Sequence, residues 1–219
     1  MIPFHPENPF PLLDLSSYTY QEAQEHAICV DAHLGLRCES VEKEIRAQAK
    51  EDSLFLQNWD HLSVQAFQTP YVEIRNILDL LKLNSGSVLV DLGCAYARMA
   101  FVVQRHHPDI QFLGFELEGL RVAEAQRALG ATTLVDLQTT DLAKAEFQLP
   151  PADVYFIFDY GTEAHVRKTL DDLKVMARSR TIQVVGRGRL TRFLIHKEHP
   201  WLCEVEEPSH YSHFSIYRS

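Results

Sequence analysis

Hydrophobic positions along the chain fall into two regimes. From residue 69 onward, apolar runs of strand length alternate with stripes of helical period. Ile74, Ile77, Leu78 and Leu81 follow the i, i+3, i+4, i+7 spacing of a helix packed on a core. Thr69-Pro70 opens that helix, with Thr at the N-cap and Pro at the first helical position. Ser87–Gly93 is a short apolar run of the buried, parallel type. Ala97–His107 predicts a helix and Ile110–Glu116 a second strand. Leu120–Leu129 predicts a helix closed by Gly130. Thr132–Thr139 reads as a third strand, and Ala152–Asp159 as a fourth, apolar on both faces and therefore central. Thr162 caps a helix whose Val166, Leu170 and Leu173 face inward. Arg180–Gly186 is a fifth strand, followed by a short helix over Leu190–His196. Final strands near Trp201–Val205 and Phe214–Arg218 form a hairpin around Pro208-Ser209. This alternation predicts an α/β fold, a parallel sheet with helices on both faces.

Residues 1–68 carry no strand pattern. Pro3, Pro6, Pro9 and Pro11 suggest an extended arm. Thr19 and Glu22 have the spacing of a capping box. Ser40 can cap a second helix over Val41–Lys50. The expected division is therefore an arm and helical cap over 1–68 and a sheet domain over 69–219. Trp59, Phe67 and Tyr71 read first as packing residues.

Composition changes this picture in one respect. The chain has 219 residues, 46% of them hydrophobic and 23% charged, and a net charge of −9. These are the proportions of a globular domain. The acidic total disfavours a nucleic-acid partner while leaving a local basic patch open. Yet residues 1–67 hold 11 acids and 4 bases, whereas 68–219 hold 19 acids and 17 bases. Between Leu173 and Lys197 lie seven bases and no acid. The acidic cap could lie against that basic stretch. No apolar run approaches a membrane span, and Met1–Pro11 lacks the basic start of a secretory leader. Cys29, Cys38, Cys94 and Cys203 lack paired spacing and are expected as reduced thiols in the cytoplasm. The pairs His106-His107 and His196/His199 have no Cys or acid at metal spacing, so no metal is expected.

In open α/β sheets, ligands bind at the carboxyl ends of the strands. The first strand ends in Asp91-Leu92-Gly93-Cys94-Ala95-Tyr96-Ala97-Arg98, a turn of small residues that lets backbone approach a ligand. Glu116, 25 residues after Asp91, ends the second strand and could accept from both hydroxyls of a ribose. Asp141-Leu142 follows the third strand, where a carboxylate could accept from an adenine amine. Asp159-Tyr160 ends the fourth and faces the place of a substrate. Gly186-Arg187-Gly188-Arg189 follows the fifth, and Arg187 or Arg189 could pair with an anionic substrate group.

On these residues, about 69–219 resembles the class I S-adenosylmethionine-dependent methyltransferase family. Residues 90–97 look like its Asp-Leu-Gly-x-Gly-x-Gly loop, so the resemblance implies cofactor contacts at Asp91, Gly93, Cys94, Ala95 and Ala97 and at the adjoining Arg98. It implies ribose binding by Glu116 and adenine binding by Asp141 with Leu142. It implies that Asp159 and Tyr160 line the methyl-acceptor site, Asp159 also near the cofactor. Gln68-Thr69-Pro70-Tyr71 is similar to a segment of the non-SET-domain protein lysine methyltransferases and their bacterial relatives, where it closes over the cofactor; that implies contacts from Thr69 and Tyr71. The implied fold is Rossmann-like and seven-stranded, with a C-terminal antiparallel hairpin. The implied reaction is methyl transfer to a small molecule or protein side chain. Two departures stand out. Ala95 and Ala97 replace glycines, and alanine disfavours positive φ. Asp-Tyr-Gly replaces the motif of amide and base N-methylating enzymes. A non-catalytic adapter remains an alternative, supported by those alanines. An NAD-dependent oxidoreductase is a weaker one, since its third small loop residue would be Arg98.

Overall fold

The structure, a computed structural model, describes residues 1–48 and 63–219. Lys50, the expected end of the second helix, and Trp59 lie outside the described residues. In chain order the elements are α1 (Tyr20–His33), α2 (Cys38–Gln48), α3 (Tyr71–Leu81), β1 (Val88–Leu92), α4 (Arg98–His106), β2 (Gln111–Glu116), α5 (Gly119–Leu129), β3 (Val135–Thr139), β4 (Val154–Phe158), α6 (Glu163–Met176), β5 (Gln183–Arg187), α7 (Arg189–Glu198), β6 (Ser209–His210) and β7 (Phe214–Arg218).

The chain divides into two compact units. The second comprises Asn84–Cys94, Asp109–Leu117 and Leu134–Ser219. Its seven strands form one sheet in the order β3-β2-β1-β4-β5-β7-β6. The first five are parallel to one another, and β7 runs antiparallel to both β5 and β6. β4 sits between β1 and β5, with Val154 to Ile157 all buried, as its two-faced apolar run predicts. Leu170 and Leu173 of α6 and Leu194 and Ile195 of α7 join Val90, Tyr155 and Val184 in one buried apolar cluster.

Three local expectations change. The hairpin's first arm is Ser209–His210, and Pro200–Leu202 forms a 3-10 turn instead of a strand. The Cys203 N–H turns back to the Pro200 carbonyl at 2.7 Å, and the Tyr211 N–H donates to the Phe214 carbonyl to close the hairpin later. Ser40 lies inside α2, its hydroxyl donating to the Arg37 carbonyl, so the helix starts earlier than expected. α3 begins one residue late: Pro70 is its N-cap at φ −62°, ψ 145°, and Thr69 stays outside.

The first unit comprises Met1–Leu83, Ala95–Pro108 and Glu118–Thr133, and so takes α1 to α5. It draws on both sides of the 68/69 boundary. Its N-terminal arm buries Ile2 against Ala23 and Val72. The expected capping box forms at α1, where Thr19 and Glu22 bond reciprocally. Two buried glutamates then gather partners from separate stretches of chain. Glu42 accepts from Tyr96 and from Arg121. Glu124 accepts from Arg37 and Arg127. Counted by compact unit, the charge evens out: 15 acids and 10 bases in the first, 15 acids and 11 bases in the second. No helix among the described residues is long and apolar enough to cross a membrane.

Candidate functional site

The carboxyl ends of β1 and β2 lie side by side, with Leu92 opposite Phe115 in parallel register. The Gly93 and Cys94 amides both donate to the Phe115 carbonyl at 2.9 Å, which fastens the loop after β1 to the end of β2. Gly114 makes this possible. A Cβ there would come within 2.9 Å of the Cys94 sulfur and 2.7 Å of Leu137. Gly93 itself has φ +85°, and a Cβ on it would meet the Tyr160 Cβ at 2.9 Å.

The loop then takes a turn that sequence propensity argues against. Ala95 and Ala97 stand at φ 48° and 52°, in the left-handed region. Each alanine there costs roughly 1–2 kcal/mol relative to the ordinary region. The loop thus keeps a glycine-type path on alanines. Strain of this sort persists where surrounding structure enforces it, and it clusters at ligand sites.

Asp91 and Glu116 face one place from adjacent strand ends, both buried. Burial first, and the Glu116 charge second, push the Asp91 carboxyl up to about 8. Two buried acids held this close are a poor arrangement for stability alone. They suit a ligand that brings positive charge and hydroxyl donors. The Cys94 thiol is driven well above its usual range by burial and then by those two acids, which disfavours the thiolate. Beyond β3, an Asp141 oxygen accepts from the Ala143 amide at 2.9 Å in a tight turn, and Leu142 is buried in the apolar cluster.

The remaining expected site residues have other partners. Asp159 adopts φ 28° and caps α7: it accepts from the Leu190 amide at 3.1 Å and from the Thr191 amide and hydroxyl at 2.8 Å each. Gly188 is required beside it, since a Cβ there would fall 2.1 Å from an Asp159 oxygen. A base at this position would first have to give up three hydrogen bonds. The Tyr160 hydroxyl bonds to Thr169 of α6, and burial pushes it up to about 12. Arg187 is buried with its guanidinium 4.0 Å over the Phe158 ring, its partner in the β4–β5 register, whereas Arg189 is exposed.

Within the first unit, Arg98 is buried and pairs through two nitrogens with Asp31, also donating to Gln65 at 2.8 Å. Tyr71, with no exposure, donates to Asp31 at 2.8 Å, stacks on Phe10 at 5.3 Å, and has the Arg98 guanidinium 5.1 Å from its ring. Thr69 is buried and offers its carbonyl to Arg98 at 3.5 Å. Asp31 escaped sequence reasoning because 67 residues separate it from Arg98; the residue types carry no local signal of that pairing.

No family profile matches the chain, and no curated sequence relative matches it. Solved structures match its fold. The pyocyanin biosynthetic protein PhzM aligns with a TM-score of 0.50 at 17% identity, over 66% of this chain and 53% of its own. PH1948 from Pyrococcus horikoshii, a candidate RNA methyltransferase, aligns with a TM-score of 0.50 at 16% identity, over 69% and 84%. The fold is that of a Rossmann-like methyltransferase. A methyltransferase from Aquifex aeolicus also aligns, at a TM-score of 0.48 and 15% identity, over 67% and 88%. This chain spans about half the length of PhzM. The strand order with its terminal antiparallel pair is what the alternation and hairpin in the sequence implied.

Proposed function

We propose that the protein is an S-adenosylmethionine-dependent methyltransferase. The observation that carries this reading is the buried Asp91–Glu116 pair on adjacent strands. The ligand it calls for has a cationic part and a hydroxylated part. S-adenosylmethionine has both: an ammonium and a sulfonium, and a ribose diol. Glu116 would accept from the ribose hydroxyls, Asp91 would face the cationic portion, and Asp141 with Leu142 would meet the adenine. The likeness in fold to PH1948 supports the same reading.

When bound, the cofactor supplies a methyl group already activated by sulfonium. The chain's own contribution is alignment of the acceptor and exclusion of water. Asp159 serves this by fixing the start of α7 at the end of β4, which makes it a positioning residue. Tyr160, with its hydroxyl on Thr169, packs under Gly93 and shapes the loop. The segment that resembles the lysine methyltransferases has Tyr71 fully buried on Asp31, which favours a structural role over a closing lip. A cytoplasmic location belongs to the same proposal and rests on four cysteines present as thiols.

Calorimetry of the full chain with S-adenosylhomocysteine tests the reading. Saturable binding at micromolar concentration is expected, and Glu116→Gln should weaken it. Absence of heat at high micromolar ligand would point to the adapter. A thermal shift with NAD and none with S-adenosylhomocysteine would point to the oxidoreductase.

A further inference from the structure

α7 buries Thr191, Leu194 and Ile195 on one side. Its opposite side carries Arg192, His196, Arg189, Phe193 and Lys197 in angular order around the helix, with no acid among them. Phe193 sits inside this cationic stripe and is 53% exposed. Arg189 and Lys197 lie one turn before and one turn after it, about 6 Å apart along the axis at each step. The Lys197 ammonium is 5.3 Å from the Phe193 ring centroid, and its side chain is 60% exposed. Arg192 is held in place, donating to the Gly188 carbonyl at 2.8 Å and the Tyr211 carbonyl at 3.3 Å. Glu198 at the helix end pairs with Arg167 of α6 at 2.7 Å and lies 3.9 Å from Lys197. The helix starts directly after β5, at the same carboxyl edge of the sheet that carries Asp91 and Glu116.

We propose that the outward face of α7 docks a single-stranded polynucleotide, which is the methyl acceptor or carries it. Cations would track the phosphates, and Phe193 would stack on a base. A lone aromatic ring among cations fits this partner better than the others. A membrane-surface helix needs a broad apolar face, and a helix-in-groove partner needs several apolar anchors at helical spacing. Here one ring stands alone. The acceptor part of this proposal rests on the methyl-transfer reading; the docking part does not.

Fluorescence anisotropy tests it with labelled oligouridylate and oligothymidylate, a polyglutamate peptide and phosphatidylserine vesicles against the full chain. Oligonucleotide binding at low salt that weakens as salt rises is expected. Preference for uridylate would identify RNA, preference for thymidylate DNA, and equality any single strand. Phe193→Ala should weaken binding about tenfold. Arg189→Ala with Lys197→Ala should lower the salt slope by about 1.4. The exposed positions leave the melting midpoint unchanged in both variants. Absent oligonucleotide binding, equal affinity for polyglutamate or vesicles, or indifference to both variants would overturn the proposal. Binding of S-adenosylhomocysteine without oligonucleotide would defeat the docking surface alone. Binding of oligonucleotide without S-adenosylhomocysteine would defeat methyl transfer and leave the surface standing.

Discussion

Asp31 and Asp91 are both buried, each within one of the two compact units, and they meet opposite surroundings. Asp31 receives two nitrogens from Arg98, the Tyr71 hydroxyl and Gln65. Asp91 faces a second acid, Glu116, and its carboxyl rises to about 8. The first cluster is closed: its charges and hydrogen bonds answer one another, and a ligand would add nothing. The second is open in the electrostatic sense, because its negative charge gains from a cation brought in. A buried acid beside a like charge gains from an incoming cation, whereas one already answered by an arginine does not.

Breaking the closed cluster should have the largest effect. Arg98→Met strands the Asp31 carboxylate in the interior and should cost about 3–5 kcal/mol of folding stability. Urea titration reads this, and Asp31→Asn added to the variant should restore part of the loss. A loss under about 1 kcal/mol would mean the pair behaves as a surface bridge.

Altering the open cluster should leave the fold and change the ligand. Glu116→Gln weakens two charge-assisted bonds to neutral ones, so affinity for S-adenosylhomocysteine should fall roughly 30-fold. Its melting midpoint should hold or rise, because the like charge beside Asp91 is gone. A collapsed midpoint would place Glu116 with Asp31 as a structural acid.

Asp159 tests the boundary between the two behaviours. Asp159→Ala removes the α7 cap and should cost about 1–2 kcal/mol, and Asp159→Asn should recover most of it. Unchanged stability with turnover lost in both variants would instead make it a catalytic base.

The smallest effect is a pH inflection. The folded-state value of Asp91 lies above its unfolded value of about 4. Between the two, the folded chain keeps a proton that the unfolded chain has released. Its contribution to stability is therefore full below about 4 and is lost as pH rises towards about 8. Melting midpoints across that window should show the decline. Glu116→Gln should move its upper end down only in part, since burial is the larger cause of the shift.

Much of this was legible in the residues. The alternation of Ser87–Gly93, Ile110–Glu116 and Ala152–Asp159 with helical stripes carried the sheet, because strand and helix periods are local properties. Strand-end acids were legible for the same reason: a motif's position relative to a strand fixes where its side chains arrive. The roles of Arg98, Asp159 and Tyr160 were not legible, because the groups that engage them lie far along the chain or on the next helix. Trp201–Val205 reads as a strand locally, and the chain makes its hairpin at Ser209–His210 instead.

The sequence alone determined the alternating α/β order, the small-residue loop after β1 and the acids at the strand ends. It also carried the basic run whose last part became α7. All of these are encoded in short windows of residue type and spacing. Tertiary structure decided which charges cancel. It divided the chain into units of nearly equal charge, gave Arg98 to Asp31, gave Asp159 to α7 and left Asp91 with Glu116. Charges interact through space, and the distances that decide their partners exist only once the chain is folded.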